Sequence, residues 1–442
     1  MDKNFKLLIG TGFITWLLYL LFFAIEPLKR MLGETTLALK SDKLYLLVFL
    51  ILIVLFISYI LAARIIEKSN KKMLCVIFSF AVLFNLTLLF IIPNVSTDIY
   101  YYIKVARVFA IFHQNPYIFS YNLFTNDMLY GQLHITQAAV TSYGPLFTLI
   151  TSLLSIFSQS NVLQLLLTFK SAFVAINLAN ILLIHKVFKN NLATFLYSWN
   201  PLILFEFCTN GHNDVLMIFF LLCSLLFILK NESAKWDCIL SALMIVCSIL
   251  VKYITIIFLP IYLIFICKTR KNKKERLFII SMISALAFLI LLIAYLPFYT
   301  PGNFFQTFLS QTHVSSKIFT SPVILCLSAL LSEFDIASAG HLAKALGFII
   351  FSIFYIVLLA KIGMKQDLRA NDLILYYLIA LSLFFLCCFS WFMPWYLTTL
   401  ITLLACYYAI EHYLNDQKKI IDFKYILFLT TLYGICFYIV LR

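Results

Sequence analysis

The sequence predicts an all-α fold, a polytopic membrane bundle of about 11 to 13 spanning helices with short amphipathic helices in its outer loops. Composition is the first reason: 63% of the 442 residues are hydrophobic and only 12% are charged, whereas roughly a quarter of a soluble domain is charged. The second reason is that long apolar runs recur along the chain. These observations exclude a soluble globular protein.

The apolar runs give the order of the predicted spans. Most approach the ~20 residues that a helix needs to cross a bilayer. Two shorter runs, 146–158 and 321–332, are predicted to be re-entrant or interfacial segments. The predicted spans lie at 5–25, 44–63, 73–92, 162–187, 191–207, 215–230, 238–251, 253–267, 276–296, 338–361, 372–390, 395–412 and 423–441.

The positive charges predict the orientation. With a cytoplasmic N-terminus, most of the 33 Lys and Arg fall in cytoplasmic loops, and the run Lys271–Lys274 is typical of such a loop. The net charge of +14 then needs no nucleic-acid partner. The first span has no small-residue cleavage site, which favours a retained anchor in the cell (inner or plasma) membrane.

The eleven Cys lie almost wholly within apolar spans and form no Cys-x-x-Cys pair, so neither a disulfide framework nor a zinc site is expected. We expect residues 1–442 to form one integral membrane domain. Its main loops outside the cytoplasm are predicted at 93–145 and 297–321. Chemistry is therefore expected at the outer face or within the bundle.

One polar string interrupts the apolar sequence between Leu192 and Leu229. It runs from Trp199-Asn200-Pro201-Leu202 through Glu206 to Asn210-Gly211-His212-Asn213-Asp214. Each such group costs a few kcal/mol in hydrocarbon unless it finds a partner or water. Structural interpretations exist for each: a buried or protonated Glu206, a structural His212, and Asp214 as a helix N-cap. Their clustering favours a functional site.

A second acid stands at the membrane edge. Asp98 begins a predicted helix that runs to Phe112 and shares a face with Tyr102, although it could instead be only an N-cap. Lys252 separates two apolar runs and therefore requires a counter-anion. Lys170 lies in mid-span, where it could snorkel or pair with Glu206.

The other cations of this zone are Lys104, Arg107 and Lys317. The predicted site thus combines carboxylates, which can act as bases, with cations, which can bind an anionic group. This combination is typical of reactions in which a hydroxyl, activated by a base, displaces a phosphate leaving group.

Several motifs resemble one enzyme family in order and residue type. They are Asp98-x-x-Tyr101-Tyr102, Asn115-Pro116-Tyr117, Tyr143-Gly144-Pro145, the string from Trp199 to Asp214, Lys252 before a helix with Pro260, and Pro394-Trp395-Tyr396. The chain thereby resembles, over roughly residues 73–412, the polyprenyl-phosphate-mannose-dependent mannosyltransferases of the GT-C superfamily. It departs from them at Gly144, where the family often has proline, and at His113-Gln114, which replace the usual glycine.

The resemblance implies a GT-C bundle that transfers a hexose, most often mannose, from a polyprenyl phosphate on the non-cytoplasmic face. It also implies inversion at the anomeric carbon with Asp98 as base, and no metal or other cofactor. The acceptor is expected to be an envelope glycan or glycolipid.

Lys252, His212 and Arg107 are the candidates to hold the donor phosphate. Contacts with the sugar or acceptor, or support for those contacts, are predicted for Tyr101, Tyr102, Asn115, Tyr117, Tyr143, Glu206, Asn213, Asp214, Trp395 and Tyr396.

A transporter or flippase of lipid-linked sugars is the alternative, because intramembrane ions can also couple transport. The span pattern shows no internal repeat, and the polar groups concentrate at one face, which disfavours it. A scaffold without catalysis would gain nothing from Glu206 or Lys252.

Overall fold

The computed structural model describes residues 3–31, 42–67, 73–93, 95–133, 140–157, 160–231, 234–301, 320–334, 338–389, 391–414 and 423–440. Its α-helices are Lys3–Leu20, Ile25–Met31, Asp42–Glu67, Leu74–Leu89, Asp98–Ala110, Pro145–Ser155, Val162–Phe188, Asn191–Ser198, Pro201–Leu204, Asp214–Lys230, Lys235–Val251, Phe258–Thr269, Lys273–Tyr295, Pro322–Glu333, Ala339–Met364, Ala370–Cys387, Leu397–Leu414 and Phe423–Val440. Short 3-10 helices are Leu21–Ala24, Tyr121–Leu123, Tyr253–Ile257, Leu296–Phe298 and Pro394–Tyr396, and Phe205–Asn210 is a π-helix.

The predicted all-α membrane bundle is confirmed. Within the described residues there is no strand, and six helices are long and apolar enough to cross a membrane. The helices Pro145–Ser155 and Pro322–Glu333 have 11 and 12 residues, which correspond to about 16–18 Å at 1.5 Å per residue. Neither can cross the ~30 Å hydrocarbon layer alone, in agreement with the prediction that these two runs are re-entrant or interfacial.

The predicted span 191–207 is an interrupted helix rather than a continuous one. Its first part, Asn191–Ser198, ends before Asn200-Pro201, because a residue before proline avoids the α region. The Asn200 side chain then accepts hydrogen bonds from the N–H groups of Leu202 and Ile203 and so starts the second part. That part widens into the π-helix Phe205–Asn210, a form often found at functional sites.

The first predicted outer loop folds around its own helix. The Asp98–Ala110 helix packs against Pro145–Ser155, which closes the loop. Asn115 joins this loop to the start of the second one, since its amide donates to the carbonyl of Phe298 at 2.6 Å. Most of the second loop, including Lys317, lies outside the described residues.

Candidate active site

Gly211 places the Asp98 helix against the polar string. The π-helix ends at Gly211 with φ +72°, a left-handed conformation that favours glycine. A Cβ there would also lie 2.6 Å from the Cδ1 of Ile99, the residue after Asp98. The sharp turn and this close contact bring Asp98 beside the residues that follow Gly211.

His212 is the centre of the candidate site. Its Nε2 lies 3.2 Å from Glu206 Oε2 and its Nδ1 lies 3.7 Å from Asp98 Oδ2. The imidazole stacks on the indole of Trp395, with ring centroids 4.1 Å apart. His212 and Glu206 are fully buried, whereas the side chain of Asp98 is 31% exposed. Asp98 is thus the carboxylate of this group that another molecule can reach.

Lys252 forms the second half of the site. The helix Lys235–Val251 ends directly before it, and Lys252 itself is extended. Its ammonium donates to both carboxylate oxygens of Asp214 at 2.8 Å and lies 4.2 Å from the ring centroid of Tyr396. The counter-anion that the sequence requires for Lys252 is therefore Asp214.

Aromatic side chains connect the Asp98 helix with these pairs. The hydroxyl of Tyr102 donates to Asn213 Oδ1 at 3.3 Å, and the Tyr143 ring meets the Tyr102 ring edge-on at 5.2 Å. Tyr101 lies beside Tyr143 and donates to the carbonyl of Val140. These rings form one wall of the site.

The surroundings of Asp98 alter its acidity. Burial raises the pKa of this carboxyl above its ordinary value, and the Asp214 and Glu206 carboxylates add to that effect. His212 and Lys252 act in the opposite direction but do not outweigh burial. A raised pKa makes the carboxylate a stronger proton acceptor, which is what a general base requires.

Several buried polar atoms around Gly211 have no hydrogen-bond partner among the described residues. They are Thr209 Oγ1, Asn210 Oδ1, Asn213 Nδ2 and both ring nitrogens of His212, although the latter lie close to carboxylates. Most buried polar groups in proteins are paired, so these atoms are candidates to bind a substrate. Sugar hydroxyls both donate and accept hydrogen bonds, so they could pair with such atoms.

A polar network that the sequence analysis missed holds the π-helix in place. Cys208 and Asn177 both donate to Asn85 Oδ1, at 3.0 and 2.9 Å, and Tyr197 donates to Asn177 Oδ1 at 2.8 Å. Isolated Asn residues in apolar spans were the available signal. Glu206 is also held by Asn210, whose amide donates to it at 3.1 Å, a pairing that the spacing of four residues could have indicated.

Arg107 lies in an ion pair with Asp127, apart from the ionic cluster of His212 and Lys252, and its role in binding the donor phosphate stays a prediction. Its guanidinium makes two hydrogen bonds of 2.6 Å with Asp127, a residue that sequence reasoning overlooked. Tyr121 and the N–H of Leu129 also donate to Asp127. Burial acts to raise the pKa of Asp127, but these bonds, chiefly the one from Arg107, outweigh it and lower the pKa.

Three other residues also lie apart from the ionic cluster. Asn115 binds Phe298, and the buried Tyr117 donates to the carbonyl of Tyr143 at 2.9 Å. Lys170 neither snorkels nor pairs with Glu206, because it is 1% exposed and donates to the carbonyls of Leu88 and Ile91. The described residues contain no group of three or more His, Cys, Asp or Glu arranged to hold a metal ion.

Comparison with known proteins shows a family match. A model of the MptA_B family, alpha-(1->6)-mannopyranosyltransferase, N-terminal domain, matches residues 24–268, which is more than half of the chain. This range contains Asp98, the whole polar string and Lys252. No curated protein matches the chain significantly.

Proposed function

Because the chain belongs to the MptA_B family and is therefore a membrane mannosyltransferase of the GT-C type, we propose that its donor is a polyprenyl-phosphate mannose. The acceptor is an envelope glycan or glycolipid, and transfer takes place on the non-cytoplasmic face. One observation carries this proposal. Asp98, the accessible carboxylate, lies 3.7 Å from the His212 ring of the buried His212–Glu206 pair and interacts electrostatically with the buried Lys252–Asp214 pair. A base and a cation thus lie within one site.

In the proposed reaction, Asp98 accepts the proton of the acceptor hydroxyl as the oxygen attacks the anomeric carbon. The bond between that carbon and the phosphate oxygen breaks, and polyprenyl phosphate leaves with the bonding electrons. Attack from the face opposite the leaving group inverts the configuration. The family description names an α-(1→6) linkage, and we extend it to this chain, so the attacking group is a primary C6 hydroxyl.

Lys252 is the candidate for binding the donor phosphate. Its ammonium already lies against Asp214 and Tyr396, which fix its position before the donor arrives. His212 suits this role less well than the sequence predicted, because carboxylates of Asp98 and Glu206 stand within 4 Å on both sides of its ring. A phosphate beside His212 would meet two like charges.

Sugar contacts are assigned to the groups around Gly211 and to the aromatic wall. Asn213 Nδ2 has no hydrogen-bond partner among the described residues, and the rings of Tyr102 and Tyr143 lie beside this side chain. Trp395 stacks on the His212 ring, and the Tyr396 ring lies against the Lys252 ammonium. Since Lys252 provides the positive charge, the proposal includes no metal ion.

The test uses the full-length protein in detergent with radiolabelled polyprenyl-phosphate mannose and α-linked mannose oligomers. We expect release of polyprenyl phosphate together with an α-(1→6)-linked product, and equal activity in EDTA. A transporter would release nothing without a sealed membrane. Wild-type protein that leaves the donor intact with every such acceptor would contradict the proposal.

A further inference from the structure

Gly144 is the point where the first predicted outer loop touches the backbone before Lys252. Its N–H donates to the carbonyl oxygen of Val251 at 3.1 Å. A Cβ built on Gly144 would lie 2.0 Å from the carbonyl oxygen of Leu250 and 2.4 Å from its carbonyl carbon. Real Cβ atoms essentially never approach closer than 3.0 Å, and these contacts are with backbone that has no flexible side chain to yield.

This contact lies at the end of a helix, where the chain changes direction. The helix Lys235–Val251 stops at Val251, and Lys252 leaves it with φ −150° and ψ 120°. Carbonyls in the last turn of a helix lack partners within the helix, so a donor from elsewhere fixes them. The N–H of Gly144 is such a donor for Val251.

The same segment is tied to the Asp98 helix. Tyr143, the residue before Gly144, packs its ring against Tyr102, and its carbonyl accepts the hydroxyl of Tyr117. Pro145 then starts the helix on which the Asp98 helix packs. Gly144 therefore joins the element that carries Asp98 to the break that carries Lys252.

We propose that Gly144 is a positioning residue for donor binding, which sets the place of the Lys252 ammonium through direct contact of the two backbones. This inference rests on the proposed function, in which Lys252 binds the donor phosphate. Any side chain at position 144 would force the two segments apart by about 1 Å. The ammonium would then move away from its present place between Asp214 and Tyr396.

The test is the variant Gly144→Ala. Because a displacement of about 1 Å can cost on the order of 100-fold in an active site, we expect the KM for polyprenyl-phosphate mannose to rise roughly 10- to 100-fold. The KM for the acceptor should stay unchanged. A variant that merely folded less well would lower the apparent kcat and leave both KM values at the wild-type level.

Gly131→Ala is the matched control. Gly131 lies in the same loop, and a Cβ added there meets nothing within 4 Å, so we expect wild-type kinetics. A second test combines Gly144→Ala with Lys252→Gln. If Gly144 acts through Lys252, the glycine substitution should add little to the loss of polyprenyl-phosphate affinity that Lys252→Gln causes.

The outcomes separate the two proposals. An unchanged donor KM in Gly144→Ala overturns the positioning role. So does a Gly144→Ala substitution that raises the donor KM as much in the Lys252→Gln background as in the wild type. Neither result affects the proposed function, which depends on the activity of the wild-type protein. If Gly144→Ala does not fold, Tyr117→Phe takes its place, because it removes the hydroxyl bond to Tyr143. A smaller rise of the donor KM is expected there, and no rise overturns the inference.

Discussion

The polar string interrupts the helical structure twice, first at Asn200-Pro201 (the lower break) and again at residues 210–213 (the upper break). These two helix breaks differ in how their polar groups are paired. At the lower break, Asn200 accepts from two backbone N–H groups and donates to Thr431, while Trp199 donates to the carbonyl of Ile77. At the upper break, Asn213 Nδ2 and Asn210 Oδ1 are buried and without hydrogen-bond partners among the described residues. Equally polar sequences are thus used differently: the first break has its polar groups paired within the fold, and the second keeps buried polar atoms that we propose bind the substrate.

The largest effect is expected from Asp98→Asn, because the proposed reaction uses this carboxylate as its base. Loss of a general base typically costs 10²- to 10⁴-fold, so transfer should fall below detection while expression and thermal unfolding stay at the wild-type level. Product formation from radiolabelled donor measures the first, and a melting curve in detergent measures the second. An active Asp98→Asn variant would remove Asp98 from the mechanism.

The pH dependence should come next in size. The base must be deprotonated, so the rate should fall about tenfold per pH unit below the Asp98 pKa, which burial and the nearby Asp214 and Glu206 carboxylates raise. The acid limb of the kcat/KM profile, which reports the free enzyme, should therefore lie above the ordinary value of about 4 for aspartate.

Two variants test the contributions of neighbouring charges to the Asp98 pKa. His212→Gln removes an interaction that lowers the Asp98 pKa, so the acid limb should move to higher pH. Glu206→Gln removes one that raises it, and the limb should move to lower pH. Limbs that coincide in wild type and both variants would show that the rate follows another group.

The smallest effects come from a matched pair of asparagines, one at each break. Asn200→Ala should lower the free energy of unfolding by about 1–2 kcal/mol, because a cap and a buried bond are lost, with kcat of the folded protein unchanged. Asn213→Ala should lower kcat/KM on the order of tenfold, since a buried hydrogen bond to a substrate is typically worth about 1 kcal/mol or more. Its free energy of unfolding should fall less than that of Asn200→Ala, because the variant loses only the 3.3 Å bond from the Tyr102 hydroxyl. Unfolding curves and initial rates, measured on both variants, test whether Asn200→Ala mainly affects stability and Asn213→Ala mainly affects activity. The same profile for both would mean that the breaks do not differ in role.

Sequence predicted the features that depend on composition and local spacing. The apolar runs gave the helical bundle, and the position of Lys252 between two of them required a counter-anion, which is Asp214. The helix that begins at Asp98 was predicted to within two residues of its observed end at Ala110. Each of these depends on the cost of polar groups in hydrocarbon or on helical periodicity.

Pairings between distant residues could not be predicted in this way. Arg107 has the charge and location of a phosphate ligand, but its partner Asp127 lies 20 residues away in an irregular segment without a periodic pattern. The break at Asn200-Pro201 was visible in the sequence, yet an apolar run around it favoured a continuous span. The contact of Gly144 with Leu250 joins segments more than a hundred residues apart and involves only backbone atoms.

The ion pair of Arg107 with Asp127 also determines how the first predicted outer loop responds to electrolyte. Both side chains are almost completely buried, at 2% and 1% exposure. Dissolved salt screens exposed charges over about 8–10 Å at physiological strength but acts much less on pairs removed from water. The loop that carries Asp98 should therefore keep its shape when the ionic strength of the surrounding solution changes.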